Sequence, residues 1–379
     1  MNQPTLRMRT LLLLGAGHAH AQVLRDWARR PLPDVDLTVV SPSALAPYSG
    51  MVPGWLSGHY AFADICIDFE ALAQAAGARL ITDEVIACDA ALRQVMLRSG
   101  TVLGADVISI NIGATLHPPE VTGAEVLAMR PLGALRARWE TLLSDLAMDP
   151  LQRPLTLTAV GGGAAGVETL LCAHAHLSLM CPERPIAPRL ISRSPTLLAG
   201  MAPHAARLVR AALDARGVEL LLGTGFDDAP SAPTKSEHLV LWATGAQAHH
   251  WPARSGLASS DDGFIRIDAQ LRSISHPQVF AVGDCADWGA SPGAADASLP
   301  KAGVYAVRMG PVLTHNLRAA LGQGQMQTYT PQRRYLALLA TGDGSAIGAW
   351  GPLAAQGRWA WRWKDHIDRG FVAGFAAPD

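Results

Sequence analysis

Residues 155–171 read LTLTAVGGGAAGVETLL, and residues 11–24 read LLLLGAGHAHAQVL. Each stretch is an apolar run, then Gly-x-Gly, then helix-forming residues. Gly15 and Gly161 stand 146 positions apart. A second echo follows each: ISINIGA at 108–114 and VLWATGA at 240–246, with Gly113 and Gly245 132 apart. Matched spacings at matched places imply two copies of one βαβ-type unit. The residue types have a mechanical reason. A parallel strand ends, the chain turns tightly on glycine, and a helix begins with free N–H groups aimed at a pyrophosphate. Gly161, Gly163 and Gly166 complete G-x-G-x-x-G. In the first copy Gly15 and Gly17 fit, but His20 holds the third place.

Such a fingerprint expects an acid about 20 residues on, at the end of the second strand, to hold a ribose hydroxyl. The first copy has its second strand at 36–40, ending at Ser41, a weak substitute. Asp34 and Asp36 fall at the wrong end. In the second copy the strand at 189–191 is followed by Ser192-Arg193-Ser194. Arg193 either accommodates a 2′-phosphate and favours NADPH or is a solvated loop residue.

Composition excludes several classes. The chain has 379 residues, 49% of them apolar and 17% charged, which suits two or three packed domains. A formal net charge of −1 argues against nucleic acid as a partner. Five widely spaced cysteines, with no C-x-x-C, speak for a reducing compartment. Arg7, Arg9 and Leu11–Leu14 imitate a secretory leader, yet Gly15 and Gly17 interrupt the apolar stretch at once. The expectation is a cytoplasmic protein without a spanning helix.

A third signal, VFAVGDCAD at 279–287, is a short strand followed by Gly283-Asp284. In this order the elements resemble the pyridine nucleotide–disulfide oxidoreductase superfamily. The resemblance runs from Leu11 to about Arg318. It implies an α/β fold of two Rossmann-like dinucleotide-binding domains: an FAD domain over 1–117 and 268–330, an NAD(P)H domain over 118–267, and a C-terminal segment over 331–379. By the same resemblance Gly15 and Gly17 hold the FAD pyrophosphate, with His18 and His20 packed at that turn. Gly161, Gly163 and Gly166 hold NAD(P)H, and Asp284 contacts the flavin ribitol. GAGHAH (15–20), PYSGMVPG (47–54), PKAGVYAVR (300–308) and the tail resemble the flavoprotein module fused ahead of selenide, water dikinase, itself similar to type II NADH dehydrogenases.

That resemblance implies hydride transfer from NAD(P)H to flavin N5, then electrons to a quinone or other small acceptor. The loop bearing Pro47, Tyr48 and Gly50 is expected to line the isoalloxazine. A helix starting near Ala302 is expected to aim its positive end at the flavin N1/O2 edge, with Lys301 either reinforcing it or solvated. Glu168 resembles the residue that faces the nicotinamide; its alternative is a first-turn acid stabilised by the helix dipole. Residues 41–60 contain no cysteine, so the disulfide-reductase dithiol is missing. Two rivals remain: sulfide or selenium-compound oxidation involving Cys285, and a non-catalytic flavin-binding partner in selenium metabolism. The glutamines that type II NADH dehydrogenases turn toward quinone are absent from 302–310, which offers Tyr305 and Arg308.

No metal site is expected. His174 and His176 stand at i,i+2 on a helix and face apart. Four of the ten tryptophans fall in the last thirty residues. Trp359, Trp363, Ile367, Phe371 and Phe375 draw a stripe on a helix over 358–375. It fits peripheral membrane contact, or docking on the protein's own core or on a second subunit. Docking is the preferred reading, because Asp365 and Asp368 weaken a membrane face.

Overall fold

The computed structural model describes residues 8–149, 153–233, 236–288, 299–332 and 334–376. Arg7 of the leader-like segment lies outside them. The run at 11–14 is a strand, Arg9–Leu14, whose four leucines are all buried. It stands at the middle of a five-stranded parallel sheet, in the spatial order Val279–Ala281, Val107–Ile110, Arg9–Leu14, Val35–Ser41, Arg79–Thr82. Leu11 faces Leu37 on one side and Val107 on the other. Both faces of this sheet are covered, so its strands read as continuous apolar runs rather than alternating ones.

The second unit repeats the plan. Its parallel order is Glu125–Ala128, Glu237–Trp242, Leu155–Val160, Ile186–Ser192, Glu219–Leu222. All six residues of the central strand, Leu155–Val160, are buried. The strand expected at 189–191 begins three residues earlier, because Ile186, Ala187 and Pro188 continue the ladder opposite Leu155–Leu157.

Among the described residues eight α-helices connect and cover these sheets: α1 (His18–Arg29), α2 (Val52–Leu56), α3 (Phe69–Ala75), α4 (Leu132–Met148), α5 (Ala164–Met180), α6 (Pro203–Asp214), α7 (Gly303–Ala320) and α8 (Arg358–Ala373). The crossovers α1 and α5 each start directly after a glycine turn, and α1 packs along α7. The C-terminal segment holds more than the expected helix. A three-stranded antiparallel meander, Leu336–Ala340, Ala346–Trp350 and Leu353–Gly357, packs on α5 and α6. Helix α8 then crosses back over the meander and returns to the first unit, where Arg25 stacks its guanidinium 4.7 Å from the centre of the Phe375 ring.

The apolar stripe of α8 is not its core-facing side. Ala360, Lys364 and Asp368 are buried, whereas Trp359, Trp363 and Ile367 are 52%, 45% and 40% exposed. Only Phe375 at the end of the stripe is fully buried. Periodicity marked the helix correctly but inverted its inner face, because a buried ion pair takes the inner positions. No described helix is long and apolar enough to cross a membrane.

Candidate functional site

The two glycine turns lie at corresponding strand ends. Gly15 has φ +94°, and a Cβ there would stand 2.5 Å from the Asn111 carbonyl oxygen. Gly161 has φ +128° and the same relation to Ala243 at 3.0 Å. The strained turn and the close neighbouring strand both demand glycine. Helices α1 and α5 take Gly17 and Gly163 as N-caps, which bring no side chain of their own, and neither first turn carries an acid; in α1 Ala19 N is taken by Asn111 Oδ1. Uncapped N–H groups at a helix start form an anion site. The turns therefore fit a dinucleotide pyrophosphate each. Glu168 is the fifth residue of α5, so the first-turn alternative for it fails.

Beyond that common plan the turns differ. At the third glycine position of the second unit, a Cβ on Gly166 would meet the Gly161 carbonyl oxygen at 1.9 Å. In the first unit His20 occupies this position without a clash. Its Nδ1 donates to the Gly15 carbonyl at 2.7 Å, and Nε2 pairs with Ser109 Oγ at 2.8 Å. Burial holds its imidazole down to about 4, so Nε2 accepts from the Ser109 hydroxyl at neutral pH.

Asn111 was not singled out from the sequence, although it lies in the 108–114 echo. Its Oδ1 accepts from Ala19 N at 3.2 Å, and its Nδ2 donates to the Val282 carbonyl at 3.0 Å. A Cβ at Gly17 would stand 2.1 Å from Oδ1, and one at Gly283 would stand 2.8 Å from Nδ2. One asparagine thus ties the glycine turn to the Gly-Asp motif.

Around Gly283-Asp284 the expected flavin-side residues converge. Asp284 accepts from Arg130 Nη1 at 2.5 Å, an ion pair the sequence gave no signal for. His18 stands edge-on to Tyr48, ring centres 5.1 Å apart, and Tyr48 contacts Phe371 of α8 at 4.5 Å. Burial pulls His18 down to about 4, against the opposing pull of Asp284. A hydrogen bond with the Pro47 backbone also opposes that shift. Ala302 caps α7, and the next residue, Gly303, lies close to Ser49 and His18. Lys301 is not free at this helix tip: its Nζ donates to the Ala286 carbonyl at 2.6 Å and lies 3.8 Å over the Phe264 ring. It lines a cleft of about 490 Å³ with Arg130, Ala165, Thr244, Gly245 and Asp262. Gly113, at φ +69°, takes in the first unit the place that Gly245, at φ +49°, takes in the second; Ser41 ends the strand Val35–Ser41, and Arg193 follows the corresponding strand Ile186–Ser192.

Behind the 47–54 loop is a buried charged group. Lys364 Nζ donates to the Gly50 carbonyl at 2.6 Å and to Asp368 Oδ2 at 2.8 Å. Glu168 Oε1 accepts from Ala340 N at 2.7 Å and is charge-coupled to Lys364. Burial raises the Glu168 carboxyl to about 7, while Lys364 opposes the shift. This group joins α5, the 47–54 loop, the C-terminal meander and α8.

The family model described as pyridine nucleotide-disulphide oxidoreductase matches residues 9–310. The chain belongs to that family. Its cofactors are FAD and NAD(P)H, and the two glycine turns fit such ligands. An NADH dehydrogenase-like protein of Mycobacterium tuberculosis is 29% identical over 225 residues, 56% of each chain. Human ferroptosis suppressor protein 1 is 26% identical over 220 residues, 52% of this chain and 54% of its own. The chain spans about half the length of these curated relatives. Among solved structures, NDH2 of Plasmodium falciparum in complex with NADH shares the fold at TM-score 0.76 and 13% identity, covering 98% of this chain and 99% of that one. Sulfide:quinone oxidoreductase of Aquifex aeolicus does so at 0.75 and 17%, covering 98% and 93%.

All five cysteines are free. Cys285 Sγ is buried against the carbonyls of Val282 and Ile110, at 3.2 and 3.5 Å. Burial pushes its thiol up to about 11.

Proposed function

We propose that the chain is an FAD-dependent NAD(P)H oxidoreductase of NADH-dehydrogenase type that delivers electrons to a quinone or similar small acceptor. Bound FAD would supply the two-electron relay between nicotinamide and acceptor. The protein's part is to hold both nucleotides at their turns, to close the ring-side cleft, and to keep a proton available.

The buried group of Glu168, Lys364 and Asp368 carries this reading. A carboxyl that titrates near neutrality beside a lysine is suited to holding a proton where a reduced acceptor needs one. Lys364, hydrogen-bonded to the Gly50 carbonyl, places that group against the loop assigned to the flavin ring. A thiol relay gains no comparable support, since the Cys285 sulfur is engaged by backbone carbonyls and kept protonated. The exposed Trp359, Trp363 and Ile367, with Arg358 and Arg362 beside them, suit peripheral contact with a bilayer that holds a hydrophobic quinone. The acids that weaken such a face in the sequence are engaged elsewhere: Asp368 pairs with Lys364, and Asp365 accepts from Tyr60 Oη at 2.7 Å.

Steady-state nucleotide oxidation with a short-chain quinone or a dialkyl disulfide as acceptor, and quinone reduction with sulfide in place of the nucleotide as donor, test the reading. Quinone turnover that survives Cys285→Ser and falls at least about tenfold in Lys364→Met supports it. Nucleotide oxidation confined to the disulfide, or quinone reduction driven by sulfide and not by nucleotide, and lost in Cys285→Ser, would overturn it.

A further inference from the structure

Both units end their second strand in a pair of serines two positions apart that form closely similar turns, and the residue between the serines differs. In the first unit Ser41, buried at the strand end, donates from Oγ to the Ser43 carbonyl at 2.8 Å. Ser43 Oγ then donates to the Leu45 carbonyl at 3.0 Å and accepts from Leu45 N at 3.1 Å. In the second unit Ser192, also buried at the strand end, accepts from Ser194 N at 3.2 Å. Ser194 Oγ donates to the Thr196 carbonyl at 2.8 Å and accepts from Thr196 N at 3.2 Å. The following strand docks alike as well: Asp83 N donates to the Ser41 carbonyl and Thr224 N to that of Ser192, both at 3.0 Å.

These paired serine turns fix the backbone at the place where a dinucleotide of this fold presents its adenosine ribose. Between the serines the first unit has Pro42 and the second has Arg193. The flavin nucleotide, assigned to the first unit, has no phosphate on its adenosine ribose, and a proline there offers no donor. In the second unit neither the strand end nor the turn carries a carboxylate to hold a pair of ribose hydroxyls.

We infer that this chain selects NADPH over NADH, with Arg193 as the specificity-determining residue that binds the 2′-phosphate. Arg193 is exposed at the strand end, whereas the neighbouring Arg189 is committed to Glu219 at 2.7 Å. Arg193 Nε and Asp228 Oδ2 flank Gly225, at 3.7 and 2.7 Å from where its Cβ would be. The guanidinium supplies charge-assisted donors for the phosphate dianion, and Ser192 and Ser194 hold its backbone rather than competing for the ligand. This deepens the reading proposed above and rests on it.

The test is equilibrium binding to the oxidised FAD-loaded protein, read by calorimetry with redox-inert probes: 2′,5′-ADP against 5′-AMP. NADPH and NADH are then compared by anaerobic bleaching of the flavin. The expected result is a preference of about tenfold or more for the 2′-phosphorylated member of each pair, shrinking as salt rises. In Arg193→Ala the preference falls toward unity, and Arg193→Lys restores part of it. Equal or tighter binding of 5′-AMP and NADH by the wild type would overturn the inference while leaving the proposed function standing. So would an undiminished preference in Arg193→Ala. Failure of either nucleotide to bind or bleach would overturn both.

Discussion

The turn at 15–20 and the turn at 161–166 are built to one plan and finished differently. In the first, side chains lock the turn: His20 reaches back to the Gly15 carbonyl, and Asn111 ties Ala19 to Val282. In the second, Gly166 and Ala243 stand where His20 and Asn111 would be, and a Cβ on Gly166 would meet the Gly161 carbonyl oxygen at 1.9 Å. A turn held by buried, fully paired side chains is rigid, as a resident cofactor requires. A turn finished by glycine and alanine has no side chain to rearrange, as a nucleotide that enters and leaves each cycle requires. The asymmetry of the two turns suits the proposed assignment, with FAD kept at the first and NAD(P)H exchanged at the second.

The sharpest way to break this contrast is Gly166→Ala. Its new methyl meets backbone at 1.9 Å and cannot be absorbed by a rotamer change. Nicotinamide nucleotide affinity should fall about 100-fold, close to 2.7 kcal/mol, with flavin content unchanged. Titration of flavin bleaching against nucleotide concentration measures it. Asn111→Ala should do the reverse. It strands two buried backbone groups, costs about 1–3 kcal/mol, and shows as faster FAD loss on dilution with nucleotide affinity retained in the remaining holoprotein.

His20→Ala sharpens the contrast with a smaller expected effect, about 1–2 kcal/mol in thermal stability, as Gly15 and Ser109 lose their partner. The pH dependence gives its sign. The folded imidazole sits at about 4 and the unfolded one near 6.5, so the unfolded chain binds more protons between these values. Stability should therefore fall as pH drops from 6.5 toward 4, less steeply in His20→Ala. Glu168 works in the opposite direction: its folded pKa of about 7 exceeds the ordinary 4.5, so its contribution weakens as pH rises through that window. Glu168→Gln should remove this component, leaving a steeper rise of melting temperature with pH than in the wild type.

The glycine turns were legible because their reasons are local: a positive φ, a short strand, a helix start. Gly15, Gly161 and Gly166 could be read from spacing alone, and so could the order of the two units. The finish of each turn was not legible. His20 counted as a defect in the motif, although the structure makes it a tie, and Asn111 depends on strands more than ninety residues apart. Helix α8 teaches the same lesson in reverse. Its aromatic repeat looked like the inner face, but Lys364 and Asp368 satisfy each other and the Gly50 carbonyl, so the charged positions turn inward. Burial of charge depends on a partner elsewhere in the chain, and a helix periodicity contains no record of that partner.

The central claim is that the two turns hold a flavin and a nicotinamide nucleotide in reach of each other. Anaerobic addition of NADPH to the purified FAD-loaded protein tests it most directly. The account predicts complete loss of the flavin's visible absorbance at one equivalent of nucleotide, and its return when quinone is added. A protein that retains no FAD after desalting, or whose flavin stays oxidised under excess NADPH and NADH, would contradict it.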